Sequence, residues 1–257
     1  MKKLTILQKK KIKLLKNQII ENNSHVSKYK NYLILVKYLN SILKLKKKEY
    51  KKNIFLDYKI DNSKISGKDT IIFSASPALI CYSSMKKYCE LYKNKKCYAL
   101  KNEIQYNTSI LFKDRQRKQF NKLKAWQIAR YFIKIKKANK KHDIKYLRLN
   151  ESGEIQKKHM QKINKISEIL KKHDIRVYTY THNKEIEKKD ITSQNLIINS
   201  SHKNIKLSNN FLSYNKKTIN RINSIKKNKK IVNCKMNCSN CKICKIENNL
   251  TILCKMH

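Results

Sequence analysis

The residues best suited to chemistry are cysteines. Toward the C-terminus the chain reads Cys234-Lys-Met-Asn-Cys238-Ser-Asn-Cys241-Lys-Ile-Cys244, followed by Cys254 and His257. Two overlapping pairs with two residues between thiols bring sulfur ligands to one point through a tight turn, and a downstream histidine completes a tetrahedral zinc site. The same run also resembles part of an iron–sulfur binding loop, so zinc and a cluster both stay open. Four ligands on one zinc would make the site structural, with no position left for substrate. The role of Cys254 does not follow from spacing. A second group, Cys81, Cys89 and Cys97, has seven residues between successive members. No short metal loop uses that spacing. On a helix it puts the three roughly on one face, where cysteine packs as a small apolar residue. Burial and a second metal or catalytic site stand as equal readings.

A second set of candidates gathers where apolar runs end. Arg148 lies in IKYLRLN, and Glu151, Gly153 and Glu154 follow directly. A carboxylate there can act as nucleophile or general base, and Arg148 can anchor a phosphate or orient the carboxylate. The competing reading is a helix start, with Ser152 as cap and Glu154 near the positive end of the dipole. From spacing alone the cap is favoured. Tyr178, Tyr180 and His182 close the next run, where they can stack on a base or move a proton. Core packing with a surface histidine explains them equally well. Ser74, Asn199, Ser200 and Ser201 add polar groups at two more run ends.

These candidates need elements to hold them. Residues 1–52 read as two lysine-rich helices, with Leu4, Leu7, Leu14 and Leu15, then Tyr32, Leu33, Leu35, Val36 and Leu39, at near-helical spacing. Strands are expected at 71–73, 144–150, 175–181 and 195–200. A long helical stretch covers 101–138, with Leu111, Phe112, Phe120, Leu123, Trp126 and Phe132 toward the core, and another helix after the Glu151–Glu154 turn carries Ile155, Ile163, Ile166, Ile169 and Leu170 on one face. Alternation of strand and helix implies an α/β fold with a parallel sheet and crossover helices, either open or closed into a partial or distorted TIM-like barrel. Ligands then gather at the C-terminal strand ends. The expected organisation is a basic helical extension over 1–52, an α/β domain over 68–230, and a cysteine-rich metal-binding segment over 231–257 packed on it.

The formal charge is +45, from 62 lysines and arginines against 17 acidic residues. Such a field attracts polyanions, and DNA rather than RNA is the expected partner. Abundant lysine, isoleucine and asparagine also follow from AT-rich coding, so the charge is not all functional. No segment is apolar enough to span a bilayer. The start, MKKLTILQKKKIKLLK, is broken by lysines with no cleavage site after it. A cytoplasmic location with reduced thiols is therefore expected.

Several stretches, in this order, resemble a phage family labelled gene product 88: FSASPALIC at 73–81, CYA at 97–99, RLNESGEI at 148–155, YTYTHN at 178–183, NLIINSS at 195–201 and CSNCKICKIENNLTILCKMH at 238–257. The resemblance spans roughly residues 70–257. It implies that Cys81, Cys89, Cys97 and the C-terminal cysteines with His257 are metal-type positions, and that RLNESGEI is a functional loop. The family usually has aspartate where this chain has Glu154, which moves the carboxylate outward. The layout is also similar to phage deazaguanine DNA transglycosylases, relatives of the tRNA-guanine transglycosylases. That likeness implies base exchange: a carboxylate displaces guanine from C1′, and a 7-deazaguanine precursor then displaces the carboxylate from a base taken out of the stack. An iron–sulfur, radical-type enzyme and a metal-stapled nucleic-acid-binding module are the other readings.

Overall fold

The computed structural model describes residues 4–43, 58–62, 67–93, 96–201, 207–214, 231–234, 241–246 and 249–255. Its centre is a sheet of strands β1 (Lys59–Asn62), β2 (Gly67–Phe73), β3 (Tyr146–Leu149), β4 (Arg176–Thr181), β5 (Leu196–Ser200), β6 (Asn209–Tyr214), β7 (Ile231–Asn233) and β8 (Thr251–Lys255). The spatial order is β1-β2-β3-β4-β5-β6-β8-β7. Only β1 runs antiparallel to its neighbour; the other pairs are parallel. The expected parallel sheet is present. Barrel closure is not shown, because the order has two edges, β1 and β7.

Parallel strands covered on both faces read as apolar runs, which is why β2 to β5 stand out in the sequence. On one face Ile71, Phe73, Leu147, Leu149, Val177, Leu196 and Ile198 join a core closed by α6 (Asn107–Lys122), α7 (Ala125–Ala138) and α8 (Met160–Lys171). The opposite face carries Tyr146, Tyr178, Tyr180 and Ile197. Residues 241–246 lie across this aromatic face. Lys245 is buried there, with Nζ 2.9 Å from Asp69, 3.1 Å from the Thr70 hydroxyl and 4.3 Å from the Tyr146 ring centroid. The C-terminal segment is thus part of the sheet, through β7 and β8, as well as a cover for it.

The N-terminal helices are α1 (Ile6–Glu21) and α2 (His25–Leu43). Ile12, Leu15, Ile19, Tyr32, Leu35, Val36 and Leu39 form a second core with residues 78–80 and α5 (Tyr98–Gln105). Leu7, Leu14 and Leu33, expected on the buried stripe, are instead exposed, because the contact faces are set by Ile12, Leu15 and Ile19 on one helix and by Tyr32 and Leu35 on the other.

The single helix expected over 101–138 is three helices. α5 ends at Tyr106, and the chain is extended at Leu123 and Lys124 between α6 and α7. Lys162 closes the end of α6 by donating to the carbonyls of Phe120 (2.8 Å) and Leu123 (2.9 Å), which have no intrahelical partner. This break turns Trp126 outward, and it is 49% exposed rather than in the core. Among the described residues, no helix is long and apolar enough to cross a membrane.

Candidate active site

The C-terminal ends of β2, β3 and β4 are stitched together by backbone features that depend on particular residues. Asn150, just after β3, has φ 64°, a left-handed conformation that asparagine tolerates better than most. Its N–H donates to Phe73 O (2.8 Å), and its side-chain oxygen accepts from Ala75 N (2.8 Å). Gly153 follows at φ 77°. A Cβ at that position would lie 2.1 Å from Ser76 O, so only glycine lets the turn after β3 touch the loop after β2.

This turn delivers Glu154 into a buried position. Its Oε1 accepts from Thr181 Oγ1 (2.7 Å) and Ile155 N (3.1 Å), and its Oε2 from Ser83 Oγ (2.8 Å) and His182 N (2.9 Å). The Thr181 hydroxyl is itself fixed by Asn183 N at 2.9 Å. Burial raises the Glu154 pKa from 4.5 to about 7, against the lowering effect of these four donors. Glu154 therefore ties together the loops after β2, β3 and β4. Ser152 does not cap the helix that follows, which begins at Met160 after a 3-10 turn and has no side-chain cap. The helix-start reading of Ser152 and Glu154 is thereby corrected: the carboxylate serves tertiary contacts.

The loop after β2 carries the first cysteine group. It contains α3 (Tyr82–Met85) and α4 (Glu90–Lys93) and leads into α5. Each of Cys81, Cys89 and Cys97 immediately precedes one of these helices, so they do not share a helix face. A turn reverses the chain between Cys81 and Cys89: Lys87 has φ 58°, and Tyr88 N donates to Ser83 O at 2.8 Å. Burial pushes the Cys81 thiol well up, and the charges of Glu154, Cys89 and Cys97 add to that. Burial also raises Cys89, which is influenced by Cys97 and Glu154. The three thiols and the carboxylate share one electrostatic neighbourhood. Cys89 is buried, and Cys81 and Cys97 are partly so.

Two arrangements brace this loop, one buried and one partly exposed. Glu103 on α5 accepts from Ala78 N (2.7 Å) and Leu79 N (2.8 Å), and Lys113 on α6 pairs with it at 3.1 Å. On the outer side, Tyr82 donates to both oxygens of Glu185 (2.8 and 2.7 Å), and Tyr88 donates to one at 3.3 Å.

Arg148 alternates with Leu147 and Leu149 and so points to the aromatic face, away from the helical core. Its guanidinium lies 4.9 Å from the Tyr180 ring centroid. Burial disfavours its charge, but Tyr178, Tyr98, Tyr180 and Glu151 hold it cationic, with the pKa above the ordinary arginine value. The Tyr98 hydroxyl donates to Glu151 O, and the Glu151 carboxylate pairs with Lys59 at 3.2 Å. Glu151 and Arg148 are thus neighbours at the end of β3. Tyr180 touches Cys244, and burial raises its phenol well above the ordinary range.

Of the other candidates, His182 contributes its backbone N–H to Glu154. Ser74 and Ser200 are buried at the ends of β2 and β5. Asn199 is committed to structure: its amide donates to Thr179 O (3.1 Å) and Cys244 O (2.9 Å) and accepts from Asn209 at 3.2 Å. Cys238 and His257 lie outside the described residues. Among the described residues, no three or more His, Cys, Asp or Glu side chains are placed to hold a single metal ion, which applies to Cys81, Cys89 and Cys97 as placed, and the C-terminal metal segment is likewise not supported as such. Sequence reasoning missed Ser83, Thr181, Glu103, Lys113 and Tyr98. Only Thr181 had a signal, its place in a buried strand.

Against known proteins, a family model described as gene product 88 matches residues 39–247. The chain belongs to the gene product 88 family. The matched span holds every strand except β8, and it includes Cys81, Cys89, Cys97 and the cysteines at 234, 238, 241 and 244. For this gene product 88 chain, no curated protein and no solved structure matches.

Proposed function

We propose that Cys81, Cys89 and Cys97 hold an iron–sulfur cluster, and that the protein is an enzyme using it for one-electron chemistry on a nucleic-acid substrate. What supports this reading is that the charges of Cys89, Cys97 and Glu154 all act on the buried Cys81 thiol although the four residues lie far apart in the chain; as placed, they form no set able to hold a single metal ion. Glu154 sits at the C-terminal strand ends, where open α/β sheets bind their ligands. Three thiolates leave one coordination position of a cluster for an exogenous donor. When bound, such a group supplies electrons for radical chemistry, as with co-substrates of the S-adenosylmethionine class.

The chain's own residues have defined parts in this reading. Glu154 fixes the three strand-end loops against each other. Glu185 anchors Tyr82 and Tyr88 and so holds the cysteine loop down. Arg148, backed by Tyr180, offers a fixed cation beside Glu151 for an anionic group. The +45 charge recruits the polyanion. Zinc at Cys234, Cys238, Cys241 and Cys244 is a companion proposal supported by their spacing.

Base exchange is the second reading, favoured by one observation: Glu151 stands beside Arg148 with its side chain 15% exposed. Its carboxylate would attack C1′ of the nucleoside, and guanine would leave with the bond pair and take up a proton. A deazaguanine precursor, losing its ring N–H proton, would then displace the carboxylate. Glu154 suits that role less, because four donors occupy its lone pairs.

The test is iron, zinc and sulfide content after anaerobic reconstitution, for the wild type and for Cys81→Ala, Cys89→Ala and Cys97→Ala. Matching iron and sulfide that each substitution removes are expected. A colourless wild type without iron, together with guanine replaced in DNA exposed to protein and precursor, would instead establish base exchange.

A further inference from the structure

Outside the strand-end site, one helix presents an exposed stripe of unusual composition. α7 reads AWQIARYFIKIKKA and contains no acidic residue. Its inner face, Ile128, Ala129, Phe132 and Ile135, is buried in the sheet core. Trp126, Arg130, Lys134 and Lys137, spaced by four, four and three residues, fall on one outer face and are exposed. Among the described residues, no hydrogen bond or ion pair engages any of the four side chains. The stripe is roughly 16 Å long at the helical rise of about 1.5 Å per residue.

Physical chemistry makes this an odd surface to leave alone. Arg130 and Lys134 at i,i+4, and Lys134 and Lys137 at i,i+3, repel one another on a helix without compensating carboxylates. Trp126 is the chain's only tryptophan and is 49% exposed. A polyanion relieves the repulsion, and an unpaired base covers the indole. We infer that the outer face of α7 is a docking surface for single-stranded nucleic acid, with Arg130, Lys134 and Lys137 on successive phosphates and Trp126 stacked on a base. A duplex does not offer its base faces to an indole. An anionic membrane would favour exposed aliphatic side chains beside the cations. Those occur on α1, at Ile6, Leu7 and Leu14, and not on this stripe. The inference needs no metal and stands apart from the cluster proposal.

The single tryptophan makes the test direct. Titration of the full chain with oligothymidine should quench its intrinsic fluorescence, and Trp126→Ala should weaken binding by about tenfold. Arg130→Gln/Lys134→Gln/Lys137→Gln should reduce the salt-dependence slope of log K by about 2, from a per-phosphate value of about 0.7. The charge-matched control Lys9→Gln/Lys10→Gln/Lys13→Gln, on exposed positions of α1, should leave that slope nearly unchanged. All seven side chains are exposed, so circular dichroism should report intact helices in each variant. Unquenched fluorescence, or equal losses in the two triple variants, would overturn the inference. So would a loss by the α7 variant of phosphatidylserine-vesicle binding with oligonucleotide binding retained.

Discussion

Replacing Glu154 by glutamine separates its charge from its shape. In the wild type, each carboxylate oxygen accepts one hydroxyl and one backbone N–H: Thr181 and Ile155 at one, Ser83 and His182 at the other. An amide nitrogen must replace one oxygen, and whichever it replaces then faces a backbone donor. The hydroxyls can rotate to accept, but the N–H cannot. One unsatisfied buried N–H costs about 1–3 kcal/mol. The carboxylate carries a cost of its own. Its pKa is raised from 4.5 to about 7, so the fold favours the protonated form. The associated stability is complete below pH 4.5 and is lost as pH rises through 7, amounting to about 3 kcal/mol above both values. Glutamine has no such loss. Urea unfolding at pH 5, 6, 7 and 8 and constant ionic strength should therefore show the variant less stable at pH 5, with the gap closing or reversing by pH 8. Titrations elsewhere cancel in this difference. A gap constant across that range would refute the argument that desolvation governs Glu154.

Three further outcomes follow from the packing. Gly153→Ala should destabilise by more than about 2 kcal/mol, since it adds strain at φ 77° to a clash with Ser76 O, and thermal melting would show it. Lys113→Met leaves the Glu103 carboxylate buried without its cation and should cost about 3–5 kcal/mol, measured by denaturant midpoint; an unchanged midpoint would mean the two N–H donors of residues 78 and 79 suffice. Lys245→Met removes the contacts to Asp69 and Thr70 that hold the 241–246 segment on the sheet. Alkylation of Cys244 should then speed up relative to Cys89, and equal rates in wild type and variant would show that β7 and β8 alone hold the segment.

The legible part of the fold was the part made by burial on both faces. β2 to β5 are short apolar runs, and the strand ends at Ser74, Glu151, His182 and Ser200 follow from them. β6 begins with two asparagines, β7 has three residues, and β8 combines threonine, cysteine and lysine. None carries a pattern apart from its partners. The breaks between α5, α6 and α7 contain neither glycine nor proline. Their signal is tertiary, for Lys162 caps α6 from 39 residues beyond Leu123. Glu154 shows the same limit. Its position after Asn150 and Gly153 was visible, but the Ser83 hydroxyl that holds it comes from 71 residues away. The cysteine triad looked like one helix face because spacing alone omits the turn at Lys87.

Cys81, Cys89 and Cys97 are proposed to act as one redox centre. Electron paramagnetic resonance of the reconstituted, dithionite-reduced protein tests this most directly. A cluster signal that disappears in Cys89→Ala and persists in Cys241→Ala is the predicted result. A signal that follows Cys241 instead, or no signal in iron-loaded wild type, would contradict the claim.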